Sequence, residues 1–197
     1  MNKNSIIIIV IVLIAAVAGG YLIGKKSQNG VPVNGGGYKQ AGGDGTPPVT
    51  LPGRDDAVVI NELKEKITNN PMDAASLAYL GDIYLEQRQF KEAIAYYKKA
   101  VAVDPSDVDT FNDLGLANHY DGNSLEGLRA VEEGIKVDPY FQRIWLTKGF
   151  ILAASGRIPE AREAWRKVVA IDSESGVGKA ASSFLAEYQN NNSGKVQ

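Results

Sequence analysis

Residues 74–107 read AASLAYLGDIYLEQRQFKEAIAYYKKAVAVDPSD, and two helices follow from that line. Leu77, Leu80 and Tyr84 recur at helical spacing and put bulk on one face of a first helix. Gly81, Ala93 and Ala100 are small, so a second helix can lie close and antiparallel against the first. Pro105 then stops the second helix, because its ring clashes with the preceding turn and it has no N–H to give. One such hairpin cannot bury its own apolar face, so the pattern has to recur if it is to be stable.

It recurs with the register kept. Gly81, Gly115 and Gly149 are spaced by 34 residues, as are Asp104, Asp138 and Asp172, and Pro105 and Pro139 share that interval. The second copy carries Phe111-x-x-Leu114-Gly115, then Gly127, Val131, Gly134 and Pro139. The third carries Trp145-x-x-Lys148-Gly149, then Ala161, Trp165 and Val168. Three departures stand out: Asn118 where an aromatic is expected, Lys148 in a leucine place, and Ser173 where the first two copies have proline. On these residues, over about half its length, the chain resembles the tetratricopeptide repeat family. The fold expected is all-α: an αα-hairpin superhelix with flanking cap helices, preceded by an N-terminal transmembrane helix and a flexible linker.

The organisation expected is an anchor over 1–24, a linker over 25–54, a repeat domain over 55–190 and a tail without fixed structure over 191–197. Within the domain the spacing predicts a cap helix over 55–70, repeats over 74–107, 108–141 and 142–175, and a final cap helix over 176–190. The paired helices are predicted at 73–86 and 90–103, 107–120 and 124–136, and 141–154 and 158–171. Ala57, Ile60, Leu63 and Ile67 form the apolar stripe of the first cap, and Pro71 lies one repeat length before Pro105. That helix therefore takes the place of the second helix of a preceding repeat. Ala180, Phe184, Leu185 and Tyr188 give the last cap its apolar face. Gly122 and Gly156 mark the turns inside repeats two and three, and Gln87-Arg88-Gln89 does the same without glycine in repeat one.

Ile6 to Ile23 is an uncharged apolar run of 18 residues between Lys3 and Lys25-Lys26. As a helix it is ~27 Å long, enough for a bilayer core. Ala16-Val17-Ala18 has the form of a signal-peptide cleavage site, so a cleaved leader is the alternative to a retained anchor. The lysines after the run favour a cytoplasmic carboxyl side, while the export-like arrangement favours the other. The expectation taken is a single-pass protein of a bacterial inner membrane with its repeats in the periplasm. Residues 25–54 hold eight glycines and four prolines without hydrophobic periodicity, which describes a tether with a span of roughly 30 Å. A phosphate cradle at Gly35-Gly36-Gly37 lacks the strand and the Lys-Ser/Thr helix it needs.

Composition removes whole classes of function. The chain has no cysteine, which excludes disulfides, thiolate metal sites and covalent haem attachment. Residues 55–190 carry 22 acidic and 15 basic side chains, a balance that repels nucleic acid. His119 is the lone histidine, and Tyr120 and Asp121 are only its sequence neighbours, so it reads as a groove residue rather than a general base. No pair of histidines exists to hold a metal, no cofactor is expected, and the chain reads as a non-enzyme. Trp145 and Trp165 occupy large-residue positions and read as core, while Lys98-Lys99 and Glu132-Glu133 read as solvated faces.

The resemblance implies that a protein or peptide partner lies along the concave groove built from the first helix of each repeat. The positions facing that groove in the family are here Ala78, Asp82, Leu85 and Glu86, then Asp109, Asn112, Leu116, His119 and Tyr120, then Arg143, Leu146, Phe150 and Ala153. Their chemistry runs from acidic to apolar, which suits a segment with a basic part and an apolar part. The family's carboxylate-clamp variant needs lysine and asparagine where this chain has Ala78 and Asp82, so an acidic peptide tail is not the expected ligand. Anchor, tether and repeats together resemble membrane-anchored bacterial proteins of the c-type cytochrome biogenesis kind. That implies a scaffold assisting assembly of an envelope complex, with self-association of the chain into a homo-oligomer as the alternative.

Overall fold

The computed structural model describes residues 56–193, with side chains described as far as Tyr188. The expected anchor, cleavage site and tether lie outside the described residues, as do the last four positions of the tail. Among the described residues no helix is long and apolar enough to cross a membrane.

Among the described residues eight helices follow one another: α1 (Asp56–Asn69), α2 (Ala74–Glu86), α3 (Phe90–Val103), α4 (Val108–Tyr120), α5 (Ser124–Val137), α6 (Gln142–Ala154), α7 (Ile158–Ile171) and α8 (Gly176–Ser193). The pairs α2/α3, α4/α5 and α6/α7 are the repeat hairpins, and α2, α4, α6 and α8 stack in sequence as an inner layer against the outer helices. The six hairpin helices begin and end within one residue of their predicted limits. α8 continues to Ser193, past the expected end at 190, because no glycine or proline follows Gly178 until Gly194.

Local chemistry explains these limits. Asp73 caps α2, its Oδ1 accepting from the Ser76 N–H at 3.0 Å and its Oδ2 from the Ser76 hydroxyl at 2.7 Å. Asp107 caps α4 the same way, with Thr110 in the place of Ser76. Phe141 holds the equivalent position before α6 and makes no side-chain cap. The periodic Asp104, Asp138 and Asp172 close the turns between repeats, each accepting from the N–H two residues on, at Ser106, Tyr140 and Glu174. Proline therefore is not essential there, which is why Ser173 is tolerated.

The repeat glycines have one cause each. A Cβ on Gly81 would overlap the ring of Tyr97, one on Gly115 would overlap the Val131 methyl, and one on Gly149 would overlap the indole of Trp165. Apolar side chains then fill two clusters. One joins α1 to the first hairpin around Val59, Leu63, Leu80 and Tyr97 and reaches Leu114 and Ala117 of α4. The other runs from Leu128 and Val131 through Ile144, Ile151 and Trp165 to Ala181, Phe184 and Tyr188 of α8. The apolar face of α8 falls on Ala181 where Ala180 was expected, and Ala180 is only half-buried.

The departures from the pattern each find a partner. Asn118 is buried, and its Nδ2 donates to the Leu114 carbonyl at 2.8 Å. Lys148 extends to Glu132 at 3.1 Å and lies over the Trp145 ring. Trp145 itself is half-buried, packs against the larger cluster and donates Nε1–H to the Pro139 carbonyl at 2.8 Å.

Candidate functional site

The inner helices carry two distinct patches. The first is acidic and spans three repeats. Asp82 on α2 accepts a hydrogen bond from the Tyr97 hydroxyl at 2.7 Å. Asp113 on α4 accepts from Asn112 Nδ2 at 2.9 Å. Arg143 on α6 donates Nη1–H to Asp109 at 2.9 Å and reaches Asp113 only at 3.5 Å. Burial, with Asp113 nearby, pushes the Asp82 carboxyl up to about 8, the Tyr97 hydrogen bond pulling the other way. Burial raises Asp113 as well, against the lowering effect of Arg143. The Tyr97 hydroxyl is held far above its ordinary range by burial and the neighbouring carboxylates. Burial and the nearby Asp56 lift Glu86 too. Among the described residues no three histidine or carboxylate side chains converge as metal ligands.

The second patch is aromatic and lies at the carboxyl ends of the inner helices. Phe90 meets Tyr120 with ring centroids 5.5 Å apart, and Tyr120 meets Phe150 at 6.3 Å. His119 stands edge-on to Phe150 at 5.1 Å, and its Nδ1 shares a hydrogen bond with the Ser124 hydroxyl at 2.9 Å. Burial lowers the imidazole, which keeps it neutral. Tyr120 is 37% exposed and forms the open edge of this patch, whereas Phe150 is 4% exposed and forms its floor.

The thirteen groove positions therefore divide. Glu86 and Tyr120 are exposed, and Ala78, Asp82, Leu85, Asp109, Leu116, His119 and Arg143 keep partial access. Asn112, Leu146, Phe150 and Ala153 are buried. Leu146, Phe150 and Ala153 of repeat three lose access because α8 stacks on α6 and the rings of repeat two lie across Phe150. Three participants were not foreseen. Asp113 follows Asp109 by four residues on one helical face, a signal available in the sequence. Tyr97 belongs to an outer helix and reaches through to Asp82. Phe90 opens α3 and arrives at Tyr120 only through the stacking of repeats.

Comparison with known proteins agrees with this architecture. Residues 81–122 match the family profile described as TPR repeat, and the chain is a tetratricopeptide repeat protein. It is 28% identical over 99 residues to small glutamine-rich tetratricopeptide repeat-containing protein 2 of Mycosarcoma maydis, a match covering 50% of this chain and 28% of that one. It is 26% identical over 121 residues to Hsp70-Hsp90 organizing protein 3 of Arabidopsis thaliana, covering 61% of this chain and 22% of the relative. The chain thus spans less than a third of the length of these curated relatives. Among solved structures, a crystal structure of MamA superposes with a TM-score of 0.55 at 19% identity, covering 69% of this chain and 88% of that one. MamA 41-end from Desulfovibrio magneticus RS-1 gives 0.54 at 22% identity, covering 57% and 64%. At such identities the likeness is one of fold.

Proposed function

We propose that the chain is a membrane-tethered scaffold that holds a segment of a partner protein along its inner helices and so assists assembly of an envelope complex. The observation that carries this reading is the inner face of α2 and α4. It keeps carboxylates and a tyrosine in contact with solvent beside an aromatic floor, although the outer flanks are closed by α1 and α8. The tether and membrane parts rest on the apolar run Ile6 to Ile23 and the glycine-rich stretch after it. Periplasmic placement rests on the export-like arrangement of Lys3, the apolar run and Ala16-Val17-Ala18, and a role in c-type cytochrome maturation, as one form of envelope assembly, on the resemblance alone.

The absence of cysteine makes the test clean, because one cysteine introduced anywhere is unique. Glu86→Cys on the inner face and Glu163→Cys on the outer face of α7, each carrying a benzophenone, are photolysed in membranes of the native host. Partner cross-links from the inner position and not the outer one are expected. Equal yields from both would remove the groove from the proposal. Protease added to intact cells, then after the outer envelope is opened, then after the inner membrane is lysed, reports the side on which the repeats lie; cleavage at the second stage is expected.

A second reading is a self-associating module. Met72 is 67% and Tyr140 76% exposed, two repeat lengths apart on the turns between repeats, and a second copy of the chain could cover them. Sedimentation of the full chain over a wide concentration range separates the two readings, since a persistent monomer removes this one.

A further inference from the structure

The acidic and aromatic patches share one helix, α4, and the separation between them is fixed. Asp113 and Tyr120 are seven residues apart, ~10.5 Å along the axis. In an extended chain of polyproline II form, side chains three positions apart share a face and, at ~3.1 Å per residue, span about that distance.

The acidic end is short of donors. Asp82 has the Tyr97 hydroxyl and no cation in contact. Arg143 is committed to Asp109 at 2.9 Å and touches Asp113 only at the limit of a hydrogen bond. Asn112 is 1% exposed, and its amide is turned toward the cluster with Nδ2 on Asp113, yet its Oδ1 has no donor at all. Two buried carboxyl groups and an unpaired carbonyl oxygen in one cluster are acceptors short of an N–H. The aromatic end has the opposite need: Tyr120 and Phe90 form a ring surface whose edge is open to solvent.

Building on the groove reading above, we propose that α2 and α4 recognise an extended peptide segment in which one lysine or arginine and one large apolar residue are separated by two positions. The basic side chain enters between Asp82 and Asp113, and the apolar one covers Tyr120 and Phe90. Charge complementarity selects the cation, whose approach lets the buried carboxyls shed their protons, and the seven-residue offset on α4 sets the spacing. An acidic segment is rejected at the first contact.

The test uses fluorescence anisotropy with the full chain and short labelled serine-glycine peptides. The first carries a lysine and, three positions on, a phenylalanine. The second replaces lysine by glutamate. The third places phenylalanine next to lysine. The first peptide is expected to bind about tenfold more tightly than either of the others, the worth of one charged hydrogen bond. The double variant Asp82→Asn/Asp113→Asn, checked for an unchanged helical spectrum, is expected to lose the preference for lysine over glutamate while keeping the preference for correct spacing. Equal binding of the three peptides, no binding of any, or a lysine preference that survives in the double variant would each overturn the proposal. Partner cross-linking from Glu86→Cys together with any of those results would leave the groove as the docking surface and remove only the motif.

Discussion

In the first hairpin the ring over the repeat glycine belongs to Tyr97, and its hydroxyl runs on to Asp82. In the third hairpin the same slot holds Trp165, which is 2% exposed, leaves its Nε1 without a partner and packs on Phe184 and Tyr188 at centroid distances of 5.1 and 5.3 Å. The two repeats solve one packing problem, a flat ring against a bare backbone, with opposite consequences. The third devotes the slot to stability and is sealed by α8. The first carries a buried polar link to the inner face, where carboxylates sit above their ordinary pKa, an arrangement that is costly for folding and useful for recognition.

That contrast is broken most directly at Trp165. Trp165→Ala removes a ring that joins α6, α7 and α8, and is expected to cost ~3–5 kcal/mol in chemical denaturation followed by circular dichroism. A loss below ~1 kcal/mol would mean that the carboxyl end of the array is not held by this ring.

The acidic patch predicts an effect of the opposite sign. Carboxyls raised in the folded state keep protons that the unfolded chain has released, so their contribution to stability is present below about pH 4 and is lost as pH rises toward the folded value, about 8 for Asp82. Asp113 and Glu86, also raised, act in the same direction. His119 is lowered and acts in reverse, adding stability as pH rises toward 6.5. The difference between wild type and Asp82→Asn isolates the first effect. The variant is expected to gain melting temperature relative to wild type from pH 5 to pH 8.5, by less than the Trp165 loss because Asp82 retains some contact with water. Parallel melting curves across that range would show that Asp82 titrates normally.

How much of this was legible varies with how far a residue's partner lies along the chain. Gly81, Gly115 and Gly149 were readable because each is forced to be small by a side chain sixteen residues on, inside the same repeat. Asp104, Asp138 and Asp172 were readable because they bond their own turn. The site was less so. Phe150 and Leu146 occupy groove positions by periodicity, yet the stacking of α8 and the rings of repeat two bury them, and that depends on inter-repeat twist rather than spacing. Asp113 was overlooked because it stands beside, not on, the expected inner stripe, and its role follows from Arg143 thirty residues later. The ends of the hairpin helices were close to exact because caps and stops act within a few residues.

The Tyr97 hydroxyl sharpens the comparison on a finer scale. Tyr97→Phe preserves the ring over Gly81 and deletes the donor to Asp82, and is expected to cost ~1–2 kcal/mol at neutral pH. It should also raise the carboxyl further, since that hydrogen bond lowers it. If Tyr97→Phe in the Asp82→Asn background costs as much as alone, the pair is not energetically coupled.

The smallest effect lies at the turn, where the first repeat again differs from the others. Gly122 and Gly156 stand one repeat length apart with φ of 90° and 79°, and Arg88 takes the equivalent place with φ of 60°. An L-residue with a Cβ pays ~1–2 kcal/mol for that left-handed conformation, whereas glycine there pays only the greater entropy of its unfolded chain, ~0.5–1 kcal/mol. Arg88→Gly should therefore stabilise the chain by ~0.5–1 kcal/mol, a rise of a few degrees in melting temperature. The gain would come with a loss, because Arg88 also lends its positive charge to Tyr120 at the open edge of the aromatic patch. A variant that melts higher and holds a lysine-phenylalanine peptide unchanged would assign the arginine to neither role in recognition. One that melts lower would mean that its side chain contributes more to the first hairpin than the strain at its backbone costs.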